Sequence, residues 1–264
     1  SITTNHSKED SMSECNGTCE VCVCKTGTNL KTIHYLLITH EPLLWRTGKT
    51  NHSNMITIFK NFNEVIEHKT IPEILHEIKT GKYRPGITYL RKSLAENKLE
   101  AYEKAKKSLP AFTPSGKFVG GRKMEFLEAY SNFIILDIDK LSQTDLQNAK
   151  HKANQSEYTY ASFISPSGNG LKILVKVNTT KEDHKETFLA IQKHYETLLN
   201  HEIDKSGKDI TRLCFYSFDD NLYHNEAAKT FVTSSEVEMH LSKNDSNQSN
   251  HTELVEVRQT DNQQ

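Results

Sequence analysis

Two aspartates, Asp137 and Asp139, end one of the most apolar stretches of the chain and are separated by a single isoleucine. Side chains alternate along a β-strand, so both carboxylates would point to the same face. Close carboxylates repel each other unless a cation or a proton lies between them, and their oxygens suit Mg²⁺ or Mn²⁺ bound together with substrate phosphates. The pair predicts a divalent metal site, although D-x-D alone also fits a strand that ends at a solvated turn.

A third carboxylate is expected to complete this site. We favour Asp209, because it stands directly before a segment that reads as a strand, residues 211–218. Asp204 is the alternative, and its simpler role is that of a turn residue ahead of Gly207.

Two further segments carry side chains that could bind phosphates. A polar turn, Ser-Pro-Ser-Gly-Asn-Gly, can bring backbone N–H groups close to a nucleotide, although it also fits an ordinary hairpin turn. The predicted nucleotide-binding residues are Ser165, Ser167, Gly168, Asn169, Gly170, Lys172 and Arg212. The basic, glycine-containing loop 109–122 and the helix before it suggest contacts with a nucleic-acid backbone. The predicted nucleic-acid-binding residues are Arg91, Lys117 and Arg122.

The elements that position these side chains follow from the hydrophobic pattern of the second half of the chain. It predicts the order β-α-β-β-α-β, with elements at 131–139, 142–155, 157–165, 170–177, 180–200 and 211–218. This is the order of an α+β fold of the RRM-like or ferredoxin-like type. In that sheet the strand order is 4-1-3-2 with antiparallel neighbours, so the end of the first strand meets the starts of the third and fourth. The acidic pair, the polar turn and Asp209 would converge there.

The 264 residues allow a sizeable core and more than one unit. We predict a polar leader at 1–54, a smaller α/β unit at 55–130, an RRM-like palm at 131–235 and a disordered polar tail at 236–264. The 33 basic residues nearly balance the 34 acidic residues, so any site for a polyanion must be local. No run of about 20 apolar residues and no export signal is evident, which predicts a cytoplasmic protein without a membrane segment.

Four cysteines cluster near the N-terminus: Cys15, Cys19, Cys22 and Cys24. Four thiolates can bind Zn²⁺, although the spacing of the last two leaves a tight loop for tetrahedral geometry. The other interpretation is a reduced leader without metal. Cys214 stands alone within a predicted strand and is expected to pack in the core.

Five stretches together carry a family resemblance: YLRKSL, LPAFTPSGKF, FIILDIDKL, SFISPSGNGLKILVKV and DKSGKDITRLCFYSFDDNLYHN. Over residues 55–225 the chain resembles the VirE N-terminal-like domain of the archaeo-eukaryotic primase superfamily, in its primase-polymerase branch. The resemblance implies a palm that joins nucleoside triphosphates on a DNA template, with metal bound by Asp137, Asp139 and Asp209. It also implies a mobile-element replication system with a helicase or ATPase in a longer or neighbouring chain. The family's nucleotide-binding histidine is replaced here by Lys172.

Two other functions stay open at this point. A catalytically degenerate, nucleic-acid-binding RRM-like module would bind DNA without metal and without incorporating nucleotides. A haloacid-dehalogenase-like phosphatase would also place an acidic pair after an apolar strand, but it needs a parallel sheet. Only the short polar turn separates the second and third strands of the predicted palm, which favours an antiparallel hairpin.

Overall fold

The computed structural model describes residues 55–233. The predicted leader, the four clustered cysteines and the polar tail lie outside these residues. The helices are α1 (Ile71–Thr80), α2 (Arg84–Ala95), α3 (Leu99–Ser108), α4 (Gln143–Gln155) and α5 (His184–Leu199). The first five strands are β1 (Met55–Lys60), β2 (Glu64–Thr70), β3 (Ala111–Phe112), β4 (Gly116–Phe118) and β5 (Leu127–Tyr130). The other five are β6 (Phe133–Ile138), β7 (Thr159–Ile164), β8 (Leu171–Lys176), β9 (Cys214–Phe215) and β10 (Tyr223–His224).

The palm sheet has the strand order β10-β7-β8-β6, and all of its pairs are antiparallel. Alternation along β6 divides its side chains as the sequence predicts. Ile134, Leu136 and Ile138 pack against α4 and α5 in one buried cluster. Phe133 and Ile135 face the opposite side, where they join a second cluster with residues of β1 and α1. The sheet is therefore covered on both faces, and Asp137 ends the second face.

A second four-stranded sheet has the order β2-β1-β3-β9. Helix α1 follows β2 directly and begins with a complete capping box, in which Thr70 and Glu73 satisfy each other's backbone N–H groups. The helix ends at Gly81, whose φ of 83° lies in the left-handed region that glycine tolerates best. These caps fix α1 over the sheet, where its buried isoleucines reach the cluster shared with the palm.

The prediction that strand 211–218 pairs with β6 in the palm sheet is wrong. Within the predicted strand 211–218, residues Cys214–Phe215 form β9, which pairs with Phe112 and Ala111 of β3 in the second sheet. Beside β6, a 3₁₀ turn at Lys205–Lys208 takes the place expected for that strand. Gly207 lets this turn approach β6 closely, because a Cβ there would lie 2.8 Å from the carbonyl oxygen of Ile135.

The α+β class is confirmed by five helices and antiparallel sheets within residues 55–233. The order β6-α4-β7-β8-α5 reproduces five of the six predicted palm elements, while the sixth joins the other sheet. The antiparallel β7–β8 pair excludes the parallel arrangement that the phosphatase alternative requires. Among the described helices, none combines the length and the apolar character needed to span a bilayer.

Candidate metal centre

Asp137 lies at the buried end of β6, directly opposite Lys172 on β8. The residue is 8% exposed, and its Oδ2 forms an ion pair with the ammonium group of Lys172. Its other oxygen, Oδ1, is buried and has no hydrogen-bond partner among the described residues. A buried carboxylate oxygen without a partner is costly, and a cation bound at this atom would remove that cost.

Asp204 reaches the end of β6 from the segment that follows α5. Its backbone N–H donates to the carbonyl oxygen of Asp137 at 2.8 Å. Its side chain accepts hydrogen bonds from the backbone N–H and the hydroxyl of Ser206, which fixes the carboxylate at the start of the 3₁₀ turn. Burial opposes ionisation of Asp204, but the hydrogen bonds from Ser206 and the charge of Arg212 outweigh it and lower its pKa.

Three carboxylates come together at this edge: Asp137, Asp139 and Asp204 each offer an oxygen atom within 4.8 Å of the others. Asp209, the predicted third member, is not part of the group. Its carboxylate instead accepts hydrogen bonds from the backbone N–H and the hydroxyl of Thr211, each at 2.9 Å, and so caps its own turn. The set of oxygen donors suits a hard divalent cation such as Mg²⁺ or Mn²⁺.

Two cationic side chains border the three carboxylates. Burial alone would lower the pKa of Lys172, but the charge of Asp137 and the hydrogen bond between the two groups outweigh it and raise that pKa. The guanidinium of Arg212 lies 3.0 Å from Asp204 Oδ2 and 3.6 Å from Asp137 Oδ2. The side chain of Arg212 is 38% exposed, whereas that of Lys172 is 12% exposed. Of the two predicted phosphate-binding cations, Arg212 is therefore the one that solvent and ligands can reach.

The polar turn between β7 and β8 folds against the end of β6. Its hydroxyls form a chain in which Ser165 and Ser167 lie 2.9 Å apart and Ser167 donates to Asn169 Oδ1 at 2.5 Å. Gly168 has a φ of 84°. A Cβ at Gly170 would lie 2.7 Å from the carbonyl oxygen of Ile138 and 3.2 Å from Asp139 Oδ1. Glycine at this position lets the turn approach the carboxylates closely.

The three predicted nucleic-acid-binding residues do not gather at one surface, and each is held by other parts of the chain. Arg91 donates to the carbonyl oxygens of Ser165, Pro166 and Phe218 at 2.9 to 3.1 Å. Arg122 donates to the carbonyl oxygens of two other loops at 2.8 and 2.9 Å. Lys117 lies 3.0 Å from Glu128. Arg91 thus holds the polar turn in place through these hydrogen bonds, and its guanidinium group is not free to bind a phosphate.

The sequence contains one signal that points to Asp204. The segment Asp-Lys-Ser-Gly places an aspartate two residues ahead of a serine, a spacing typical of a side chain that caps the following turn. Such a cap holds the carboxylate at a fixed place, which is what a metal ligand needs. Asp209 is favoured from the sequence because it lies close to the predicted strand 211–218, and this reason holds only if that strand pairs with β6. In the structure, residues Cys214–Phe215 pair with β3 instead.

A comparison with models of protein families gives a match. The family model described as BT4734-like, N-terminal domain, matches residues 104–224, and this family is related to primase-like domains. The matched range contains the three carboxylates, both bordering cations and the whole polar turn. No curated protein and no solved structure matches the chain.

Proposed function

We propose that the protein is a primase-like nucleotidyltransferase of the VirE N-terminal-like type, which adds nucleotides to a DNA strand with the help of Mg²⁺ or Mn²⁺. The observation that carries this proposal is the unpartnered, buried Oδ1 of Asp137 within a group of three carboxylates. The match to a family related to primase-like domains supports it, because the matched residues include the whole group.

The residues fit a divalent cation. Asp137, Asp139 and Asp204 would hold it through oxygen atoms, and the ion would neutralise the phosphates of an incoming nucleotide and lower the pKa of an attacking hydroxyl. The three negative charges are partly balanced by Lys172 and Arg212, which leaves a net charge of −1 at the site. A triphosphate would compensate any further positive charge, so we expect metal and nucleotide to bind cooperatively.

The side chains of the chain itself supply orientation. Arg212 is exposed enough to contact a phosphate while it stays bonded to Asp204. Lys172 holds Asp137 in place across the sheet and acts as a positioning residue for that carboxylate. The polar turn, fixed by Arg91, closes the side of the site next to Asp139.

A second function has its own support. Because Lys172 and Arg212 already form ion pairs with the carboxylates, the site could be stable without metal. This arrangement favours a degenerate module that binds nucleic acid but does not incorporate nucleotides. The two functions differ in whether Mn²⁺ binds and whether a primer grows.

The test combines both measurements on the purified full chain. We expect Mn²⁺ to bind in isothermal titration calorimetry and a labelled DNA primer to be extended when nucleoside triphosphates are present. Asp137→Asn and Asp204→Asn should lose both properties, whereas the matched variant Asp209→Asn should retain them, because Asp209 only caps a turn. Extension by Asp137→Asn at the rate of the parent would refute the proposal, and DNA binding without Mn²⁺ binding or extension in the parent would select the degenerate module.

A further inference from the structure

Helices α2 and α3 form a hairpin with an open groove of about 540 Å³ between them. Small residues line much of the groove, among them Gly86, Ala101 and Ala105. Tyr89 also lines it and is 57% exposed, so its ring is open to solvent along the groove. An exposed tyrosine ring beside small residues offers a flat surface on which another planar group can stack.

The groove carries charge of both signs, because Glu100 and Lys104 both line it. Helix α3 has no buried residue, and Lys104 and Lys107 stand one turn apart on it with exposed side chains. Neither lysine has an acidic partner within 4.0 Å among residues 55–233. Lys106 differs, because its ammonium group lies over the rings of Tyr102 and Phe215. An unpaired lysine in the same groove as an exposed ring, with a second lysine one turn along α3, is a combination that binds phosphates and bases together.

The α2–α3 hairpin is packed against the rest of the protein. Ile87 and Leu90 of α2 are fully buried and pack with Leu109, which follows α3. Arg91, also on α2, donates to the carbonyl oxygens of Ser165 and Pro166 in the polar turn. The same helix thus carries Tyr89 in the groove and the arginine that fixes one wall of the candidate metal centre.

We propose that the α2–α3 groove binds single-stranded DNA, with an unpaired base stacked on Tyr89 and the flanking phosphates on Lys104 and Lys107. Every base has a π-face, so this contact requires unpaired bases but no particular sequence. The assignment of this strand as the template rests on the proposed function, whereas the binding itself does not. A protein partner fits less well, because a lining of small residues with Glu100 and Lys104 provides no apolar anchor pocket.

Binding is measured by fluorescence anisotropy with a labelled oligothymidylate and the full chain, in EDTA, so that no metal-dependent chemistry contributes. We expect Tyr89→Ala to lose about ten-fold or more in affinity and Tyr89→Phe, which keeps the ring, to bind like the parent. The double change Lys104→Glu/Lys107→Glu should weaken binding and reduce the slope of log affinity against log salt by about 1.4, from about 0.7 per phosphate contact. Lys185→Glu/Lys193→Glu on α5 carries the same charge change on exposed residues outside the groove and should bind like the parent.

The proposal is overturned if Tyr89→Ala and the double lysine variant bind the oligonucleotide as tightly as the control variant. It is also overturned if duplex DNA or single-stranded RNA binds and single-stranded DNA does not. Thermal unfolding of each variant shows that the hairpin is intact, and Tyr89→Phe gives a second reading if Tyr89→Ala unfolds. Asp137→Asn should bind the oligonucleotide normally, so a failure of the proposed polymerase chemistry leaves this result unchanged.

Discussion

Replacing Gly170 by alanine tests how closely the polar turn packs against the end of β6. The added Cβ would lie 2.7 Å from the carbonyl oxygen of Ile138, whereas ordinary van der Waals contact begins at 3.4 Å. Backbone must therefore move by about 0.7 Å, because a carbonyl oxygen in a paired strand cannot rotate away. Overpacking of this kind costs about 1–3 kcal/mol. Since Asp139 Oδ1 lies 3.2 Å from the same Cβ, we also expect the affinity for Mn²⁺ to fall about ten-fold.

The assay is urea unfolding followed by circular dichroism, together with Mn²⁺ titration of the folded variant. Gly86→Ala is the matched control, because its Cβ would meet only a side-chain carbon of Leu109 at 3.6 Å. Gly86 lies in α2, where alanine is preferred over glycine by up to about 1 kcal/mol, so this control should be as stable as the parent or more stable. If Gly170→Ala unfolds at the same urea concentration as the parent and binds Mn²⁺ equally well, the close packing described for the turn is refuted.

Two further predictions concern buried polar groups. Asp219→Ala should destabilise the protein by about 3–5 kcal/mol in urea unfolding, because it leaves the buried ammonium group of Lys150 without its carboxylate partner and with only the carbonyl oxygen of Asn221. The change Asp220→Ala at the exposed neighbour should have little effect, and equal midpoints for the two variants would contradict this. Burial lowers the pKa of His184 below its usual 6.5, so the unfolded chain takes up a proton that the folded chain does not, and the free energy of unfolding should fall as pH drops below 6.5. Burial lowers the pKa values of His68, His194 and His224 in the same direction, so His184→Gln should reduce that pH dependence without removing it. An unchanged slope would show that His184 does not contribute.

Much of the palm follows from local sequence patterns. The sequence predicts strands at 131–139, 157–165 and 170–177, and the structure has them as β6, β7 and β8 with slightly shorter bounds. Hydrophobic alternation and the short polar turn suffice for this, because they act within neighbouring residues. Helix α5 begins at His184, later than the predicted start at Thr180, whose hydroxyl oxygen accepts a hydrogen bond from the backbone N–H of Asp183. From the sequence, no helix is predicted at the position of α2, because Pro85 and Gly86 in its first turn weaken the helical pattern.

The candidate site is harder to predict, because it depends on which edge the last strand joins. Residues 211–218 have strand-like alternation, but strand propensity does not specify a partner. The structure sends Cys214–Phe215 to β3 and leaves Asp204 beside β6. The sequence predicts the proximity of Asp137 and Asp139, since it depends only on β6 and the residue that follows it. Asp204, and not Asp209, joins them in the structure. The sequence does not predict this, because the position of Asp204 depends on contacts between distant segments.

The segment from Asp204 to Phe215 links the two sheets through the candidate metal centre. At its start, the backbone of Asp204 bonds to Asp137 at the end of β6, and at its end, Cys214 pairs with Phe112 in the second sheet. Arg212 lies between these two anchors and contacts both carboxylates. A shift of one sheet against the other would therefore change the spacing of the carboxylates and the arginine at once. The geometry of the site thus depends on the packing between the sheets as much as on β6 itself. A cation that binds only this folded arrangement would stabilise the fold.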